Sequence, residues 1–224
     1  MIVTIDGPAG SGKSTAARKL AARLELPYLD TGAMYRAIAY RALADGVDFE
    51  DAAALLEVAR AAELELDCGP TFTRVRLGGH DVSEAIRSFA VSRVTSYVAG
   101  NQAIRDLLVE KQRAIGRSLG SLVTEGRDQG AVVFPNADVK FVMDASLDRR
   151  AERRYQEIIA DGEQASLEEV RQNLARRDRN DVRQWAPLLE PGEAIRIDTT
   201  RMTIAEVIDR LVAHIQQLTG GDVS

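Results

Sequence analysis

The chain has 224 residues, 45% of them apolar and 28% charged, with a formal net charge of −5 at pH 7. A single domain usually holds about 100 to 200 residues, so this length fits one compact unit with an inserted lobe, and the ordinary apolar-to-charged balance excludes disorder, collagen-like repeats and a membrane protein. The negative balance offers nucleic acid or an anionic lipid surface no general attraction, and neither is expected as a partner.

Met1-Ile2-Val3-Thr4-Ile5-Asp6 carries no basic stretch ahead of a long apolar run, so no secretory signal is read and a cytoplasmic location is expected. Ile2 to Asp6 reads as a β-branched strand, followed by a glycine loop and by Lys13 to Leu24 at helical spacing. Leu26 to Leu29 predicts a short second strand, Thr31 an N-cap, Gly32 to Ala44 a helix and Asp48 to Ala62 another. From Glu63 to Val82 the pattern alternates, with Gly78-Gly79 as a turn signal, which predicts a small antiparallel sheet inserted into the chain. Cys68, the one cysteine, excludes an intramolecular disulfide and a cysteine-cluster zinc site and reads as a small apolar filler.

Helices are expected again at Ser83 to Val98 and Asn101 to Ser118, then buried parallel strands at Leu122 to Thr124 and Val139 to Met143. Asp161-Gly162 reads as a hinge-like turn. Ser166 with Glu169, and Thr203 with Glu206, are capping boxes opening two further helices, with a strand at Ala194 to Ile197 between them. The final Gly-Gly-Asp-Val-Ser reads as a frayed tail. Strands alternating with helices imply a parallel sheet covered on both faces, with ligands at the strands' carboxyl ends.

Gly7-Pro8-Ala9-Gly10-Ser11-Gly12-Lys13-Ser14 satisfies the spacing of a phosphate-binding loop, G-x-x-x-x-G-K-[ST]. Set between a strand and a helix, its amides and the helix N-terminus face an anion, and its glycines let the backbone close without Cβ collisions. The motif predicts a nucleoside triphosphate with Mg²⁺, Lys13 on the β and γ phosphates, the Ser14 hydroxyl on the metal and Thr15 near the α-phosphate.

Arginine dominates the basic residues, 25 against four lysines, and nine fall between Arg149 and Arg183. A guanidinium fork suits phosphate two bonds at a time, so this enrichment suggests phosphate handling. Arg149, Arg150, Arg153 and Arg154 form like-charged i, i+4 pairs that favour an intervening anion or carboxylate. Arg149 and Arg153 are expected to be mobile donors to a transferring phosphoryl group. No guanine-reading N-K-x-D stretch is present, which argues against a regulatory GTPase; another small-molecule kinase, or a nucleotide-gated switch without catalysis, stays open on these residues alone.

Four blocks carry a closer likeness: Ile5 to Ser14; Leu29-Asp30-Thr31-Gly32-Ala33-Met34-Tyr35-Arg36; Glu125-Gly126-Arg127-Asp128-Gln129-Gly130 with Val132-Val133-Phe134-Pro135; and Asp144-Ala145-Ser146. Together they resemble bacterial cytidylate kinases. The resemblance implies an α/β, three-layer P-loop NTPase sandwich with a parallel sheet, the small antiparallel sheet in a monophosphate-binding lobe, and a helical lid. It divides the single kinase domain into a core (1–30, 119–148 and 184–224), a CMP-binding lobe (31–118) and a lid (149–183).

The implied reaction moves the terminal phosphate of ATP onto CMP or dCMP in a monomer, by direct in-line transfer. By the same resemblance Thr31, Ser96, Arg105 and Asp128 read cytosine, Arg36 and Arg127 hold the acceptor phosphate, and Arg177 with Asp181 reaches the ribose. Tyr35 either packs in the core or borders the base. The base chemistry agrees: an acceptor such as Asp128 must meet the cytosine amine, while Arg105 and Ser96 donate to its acceptors. The chain departs from the family where Asp181 and the next arginine stand one residue too close, leaving Arg183 or Gln184 to fill that place. Ala131 stands where threonine is common, and Glu125, expected to orient metal-bound water, where aspartate is common.

Overall fold

Ile2–Asp6 forms strand β1, buried from Val3 onward, as its β-branched run favours. In the computed structural model, which describes residues 1–160, 162 and 164–220, the chain leaves β1 through Gly7 at φ 136 and enters helix α1 (Lys13–Leu24). A Cβ at Gly7 would lie 2.0 Å from the Met143 carbonyl oxygen, so only glycine lets the loop pass there. Next come β2 (Tyr28–Asp30), α2 (Thr31–Ala44) and α3 (Ala52–Ala61). The strands β3 (Leu64–Cys68), β4 (Thr73–Leu77) and β5 (His80–Asp81) follow, then helices α4 (Phe89–Gly100) and α5 (Gln102–Leu119). The remaining elements are β6 (Leu122–Glu125), β7 (Val139–Asp144), α6 (Leu147–Ala160), α7 (Leu167–Trp185), β8 (Ile195–Asp198) and α8 (Ile204–Thr219).

The main sheet has five strands in the order β2-β6-β1-β7-β8, and every pairing is parallel. Alternate strand residues serve opposite layers. Tyr28, Val123 and Phe141 pack with Leu20 of α1 and Leu211 of α8, while their neighbours Leu29 and Leu122 pack with Val109 of α5 and Phe134, and Val142 with Trp185 and Leu188. Burial on both faces explains why these strands read as continuous apolar runs, and each fully buried large side chain such as Phe141 contributes roughly 1.5–3 kcal/mol. A second core joins α2 to α5 with the small sheet through Met34, Ile38, Val75 and Leu108. A third holds α6 against α7 through Ala151, Ile158, Val170 and Leu174.

The small sheet is antiparallel in the order β3-β4-β5, and β4 alternates buried and exposed residues as the pattern predicts. Leu77 pairs with His80 across Gly78 and Gly79, both at positive φ, the conformation that closes a two-residue hairpin. Both capping boxes are present.

Several boundaries differ from the sequence reading. Thr31 is not the N-cap of α2: Asp30 is, its Oδ1 accepting from the Ala33 amide at 2.9 Å, while the Thr31 hydroxyl donates to the Glu125 carbonyl at 2.8 Å. Strand β2 starts at Tyr28 because the Leu26 amide is spent on the Ala21 carbonyl and Pro27 has no N–H to offer. Helix α3 starts at Ala52 rather than Asp48, capped by Asp51. Ser88 adopts ψ 153 and interrupts the expected 83–98 helix, leaving a 3₁₀ turn at Ala85–Arg87 ahead of α4. The last strand lies one residue later than expected. Of the expected hinge, Gly162 has φ 80 and Asp161 lies outside the described residues, as do 221–224 of the expected tail.

Candidate active site

At the carboxyl ends of β1, β2, β6 and β7 the loops surround a cleft of about 950 Å³, where ligands of open parallel sheets collect. Its floor is the loop into α1. Gly10 and Gly12 have φ of 77 and 90, a region glycine enters without strain. The N-cap of α1 is Gly12, which supplies no side-chain cap, and the first turn holds no acidic residue. The helix therefore offers its free amides and partial positive charge to whatever occupies the cleft.

Lys13 is 4% exposed, its Nζ donating to the Pro8 carbonyl at 2.7 Å, and Ser11 Oγ donates to the same carbonyl at 3.0 Å. Burial pushes the Lys13 ammonium down to about 7; the charges of Arg127 and Arg177 add to this, while Glu125 and Asp6 oppose it. Asp6 is fully buried and moves the other way, pushed up to about 7 by burial despite accepting from the Gly130 and Gln129 amides. Both of those bonds are 2.8 Å.

Ser14 Oγ donates to Glu125 Oε1 at 2.8 Å, joining the start of α1 to the end of β6. A hydroxyl beside a carboxylate is a hard-oxygen pair, and Mg²⁺ typically takes only one or two such protein groups beside phosphate oxygens and water. The pair fits that ion.

Cationic side chains line much of the remaining wall. Arg36 donates to Asp30 at 2.8 Å, while its Nε is buried with no hydrogen-bond partner among the described residues. Arg105 is paired with Asp128, and burial pushes that carboxyl above its usual range against the pull of Arg105. Arg127 Nε donates to Asp181 Oδ2 at 3.2 Å, so the adjacent Arg127 and Asp128 each pair elsewhere, Asp128 with Arg105. Burial, then the Arg127 charge, lowers the pKa of Arg177. Cations crowded enough to disfavour one another make a site that welcomes an anion.

The arginines of α6 differ in what they bond. Arg149 pairs with Glu152 at 2.9 Å on the exposed side and reaches the cleft. Arg153, expected to be free, is anchored, donating to the Ser11 carbonyl at 3.3 Å, Thr199 Oγ1 at 3.1 Å and the Thr199 carbonyl at 2.8 Å. Arg150 is buried and ties the Ala9 and Ala145 carbonyls to Asp178 of α7.

Of the residues singled out from sequence, Ala9 to Thr15, Thr31, Tyr35, Arg36, Arg105, Glu125, Arg127, Asp128, Arg149, Arg153, Arg177 and Asp181 share this cleft. Gly7 and Pro8 are not among its lining residues. Ser96 is exposed and outside the lining, where α4 instead presents Ser92, Thr95 and Ala99; Arg183 is likewise outside, and Gln184 is on the wall. Sequence reading missed Thr199, Met202 and Ile204. Thr199 directly follows β8, so the rule that sites collect beyond strand carboxyl ends would have found it.

A family model described as cytidylate kinase matches residues 3–217. The chain is 44% identical over 219 residues to the cytidylate kinase of Geobacillus kaustophilus, covering 97% of each chain. It is 44% identical over 222 residues to that of Caldanaerobacter subterraneus subsp. tengcongensis, covering 99% of this chain and 97% of the relative. A shikimate kinase from Bacteroides thetaiotaomicron, 11% identical, shares the fold with a TM-score of 0.51 over 96% of this chain and 98% of that one.

Proposed function

The chain belongs to the cytidylate kinase family, and we propose how its cleft residues divide the reaction that this membership brings: transfer of the γ-phosphate of ATP to CMP or dCMP, giving ADP and CDP or dCDP. The observation that carries the division is the single cleft in which a main-chain phosphate cradle faces Arg36, Arg105, Arg127 and Arg177. A bare nucleotide switch needs no second anion site.

The loop from Gly7 to Thr15 holds the ATP phosphates, with Gly7 and Pro8 shaping it. Lys13 leaves the Pro8 carbonyl to follow the charge that builds between the β and γ phosphates. Arg36, through its Nε, and Arg127 hold the acceptor phosphate in line with the γ-phosphorus. That phosphate is already ionised, so its oxygen attacks directly, the bond to ADP breaks, and no general base or phospho-enzyme is needed. Arg149 reaches in from the lid; Arg153 does so only by giving up Ser11 and Thr199. Closure of α6 and α7 excludes water, the competing acceptor.

Asp128 accepts from the cytosine amine, Arg105 donates to the base, and Thr31 and Tyr35 border it. Ser96 serves only if α4 rotates inward. Arg177 and Asp181 face the ribose, and Gln184 rather than Arg183 stands in position for the last lid contact. Mg²⁺, held by Ser14 and through water by Glu125, would neutralise phosphate charge during transfer. The monomer is part of the same proposal, supported by exposed large apolar residues dispersed over separate elements, such as Phe72, Tyr97 and Leu167. So is a cytoplasmic location, where both nucleotides are available; among the described residues no helix is long and apolar enough to cross a membrane.

A single-turnover reaction with γ-labelled ATP tests the direct route. Label passing to CDP or dCDP with none on protein is expected; a labelled protein intermediate would overturn it.

A further inference from the structure

Behind the wall that carries Asp128 lies a line of buried polar groups with no part in the chemistry above. Gln112 is fully buried and Gln129 is 1% exposed. Gln129 Nε2 donates to Gln112 Oε1 at 3.0 Å and to Asp128 Oδ1 at 3.4 Å, while Gln129 Oε1 accepts from Thr124 Oγ1 at 3.0 Å. The Gln112 amide faces the Tyr35 hydroxyl, and among the described residues its Nε2 is buried without a hydrogen bond of normal geometry.

With Asp128 ionised, the chain of amides has one polarity. An ionised carboxylate only accepts, so Gln129 must turn its amino group toward Asp128. Gln112 must then present its carbonyl to Gln129 and its amino group to Tyr35. The backbone is pinned separately, since Asp6 accepts from the Gln129 and Gly130 amides at the start of a π-helical turn spanning Gln129–Val133. Positions this buried are ordinarily apolar, and a partly satisfied amide pair is costly, so packing alone gives no reason for two glutamines here.

We propose that Gln129, backed by Gln112, is a specificity-positioning residue: its amide holds the Asp128 carboxylate as an acceptor facing the pyrimidine edge, favouring a base with an exocyclic amine over one with a carbonyl. This rests on the reading above that Asp128 meets the cytosine amine. A protonated Asp128 could donate to a uracil carbonyl; an ionised one cannot. The groups facing it are Arg105 on α5, Arg127 and the Gln129 amide, which favour the charged form, and Asp6 on β1 and Tyr35 on α2, both of which its charge disfavours ionising. Removing the Gln129 amide takes away one of the groups that oppose burial.

The test is kcat/KM for CMP and for UMP from pH 5.5 to 8.5 in wild type, Gln129→Met, Gln112→Met and Asp128→Asn, with urea midpoints for each. Gln129→Met keeps the length of the side chain and is expected to narrow the CMP-over-UMP ratio about tenfold, as loss of a hydrogen bond to a charged group implies. Its ratio should also begin to fall at a higher pH than in wild type, and Gln112→Met should shift the ratio less, in the same direction. A Gln129→Met enzyme that is less stable but has an unchanged ratio and pH dependence overturns the proposal, provided Asp128→Asn changes the ratio. An unchanged ratio in Asp128→Asn removes the reading of Asp128 itself, and the proposal with it. Should Gln129→Met fail to fold, an unchanged ratio in Gln112→Met overturns the proposal.

Discussion

Arg127 Nε and Asp181 Oδ2, 3.2 Å apart, close a bridge between the loop after β6 and helix α7. Each side chain keeps about a quarter of its surface open, at 22% and 26%. If Arg127 holds the acceptor phosphate and Asp181 the ribose, the substrate enters by taking both ends of this pair. Arg127→Met should lower kcat by about 10² to 10³, the usual cost of removing one preorganised donor to a transition-state anion. Initial rates at saturating ATP and varied CMP check this; a kcat within threefold of wild type contradicts it.

Lys13 gives a proton signature. Burial pushes its ammonium down to about 7, so at pH 8 the empty site holds a largely neutral amine, and a neighbouring phosphate restores the charge. ATP binding at pH 8 should therefore take up a proton. Calorimetry in buffers of different ionisation enthalpy should show a buffer-dependent heat that disappears in Lys13→Ala, which should also lose turnover while keeping CMP affinity. A buffer-independent heat in wild type contradicts this.

The burial of Asp6 predicts a stability effect of opposite sense. Its folded pKa is raised from 3.8 to about 7, so its stabilising contribution is full below 3.8 and lost as pH rises through 7. Asparagine has no charge to bury. Urea denaturation should show Asp6→Asn costing more stability at pH 5 than at pH 8; a larger cost at pH 8 contradicts the assignment.

Gly7 and Gly46 make a controlled comparison, because both have positive φ, at 136 and 67. A Cβ at Gly7 meets the Met143 carbonyl oxygen at 2.0 Å, while one at Gly46 meets nothing within 4 Å. Gly46→Ala should cost only the backbone term, about 1 to 2 kcal/mol. Gly7→Ala should cost about 3 kcal/mol or more, as main chain must move, and lower Tm by about 6 °C or more for a chain of this size. Equal shifts in thermal melts would contradict the close approach.

Local rules made much of this molecule legible. The glycine loop, the Gly78-Gly79 hairpin and the two capping boxes are decided by neighbouring residues, and the alternation of Thr73–Leu77 maps onto its burial. What escaped is decided by partners far along the chain. Thr31 looked like a cap because its hydroxyl could serve one, yet it bonds to Glu125, 94 residues away, and leaves the cap to Asp30. Arg153 looked free on its helix and is held by Thr199, a residue made prominent only by where β8 ends. The i, i+4 arginine pattern could not separate Arg150, buried between α6, α7 and the loop into α1, from Arg149 at the surface. On α4 helical spacing alone did not reveal that Ser92 and Thr95, not Ser96, face the cleft.

The proposed reaction needs one cleft to hold two nucleotides and pass phosphate between them. The deciding measurement is ADP release from MgATP, followed with no acceptor and then with CMP, dCMP or UMP. Release should be negligible without acceptor, rapid with CMP or dCMP, and much slower with UMP. ADP release that proceeds equally well with no monophosphate present, or that CMP fails to stimulate, would contradict it.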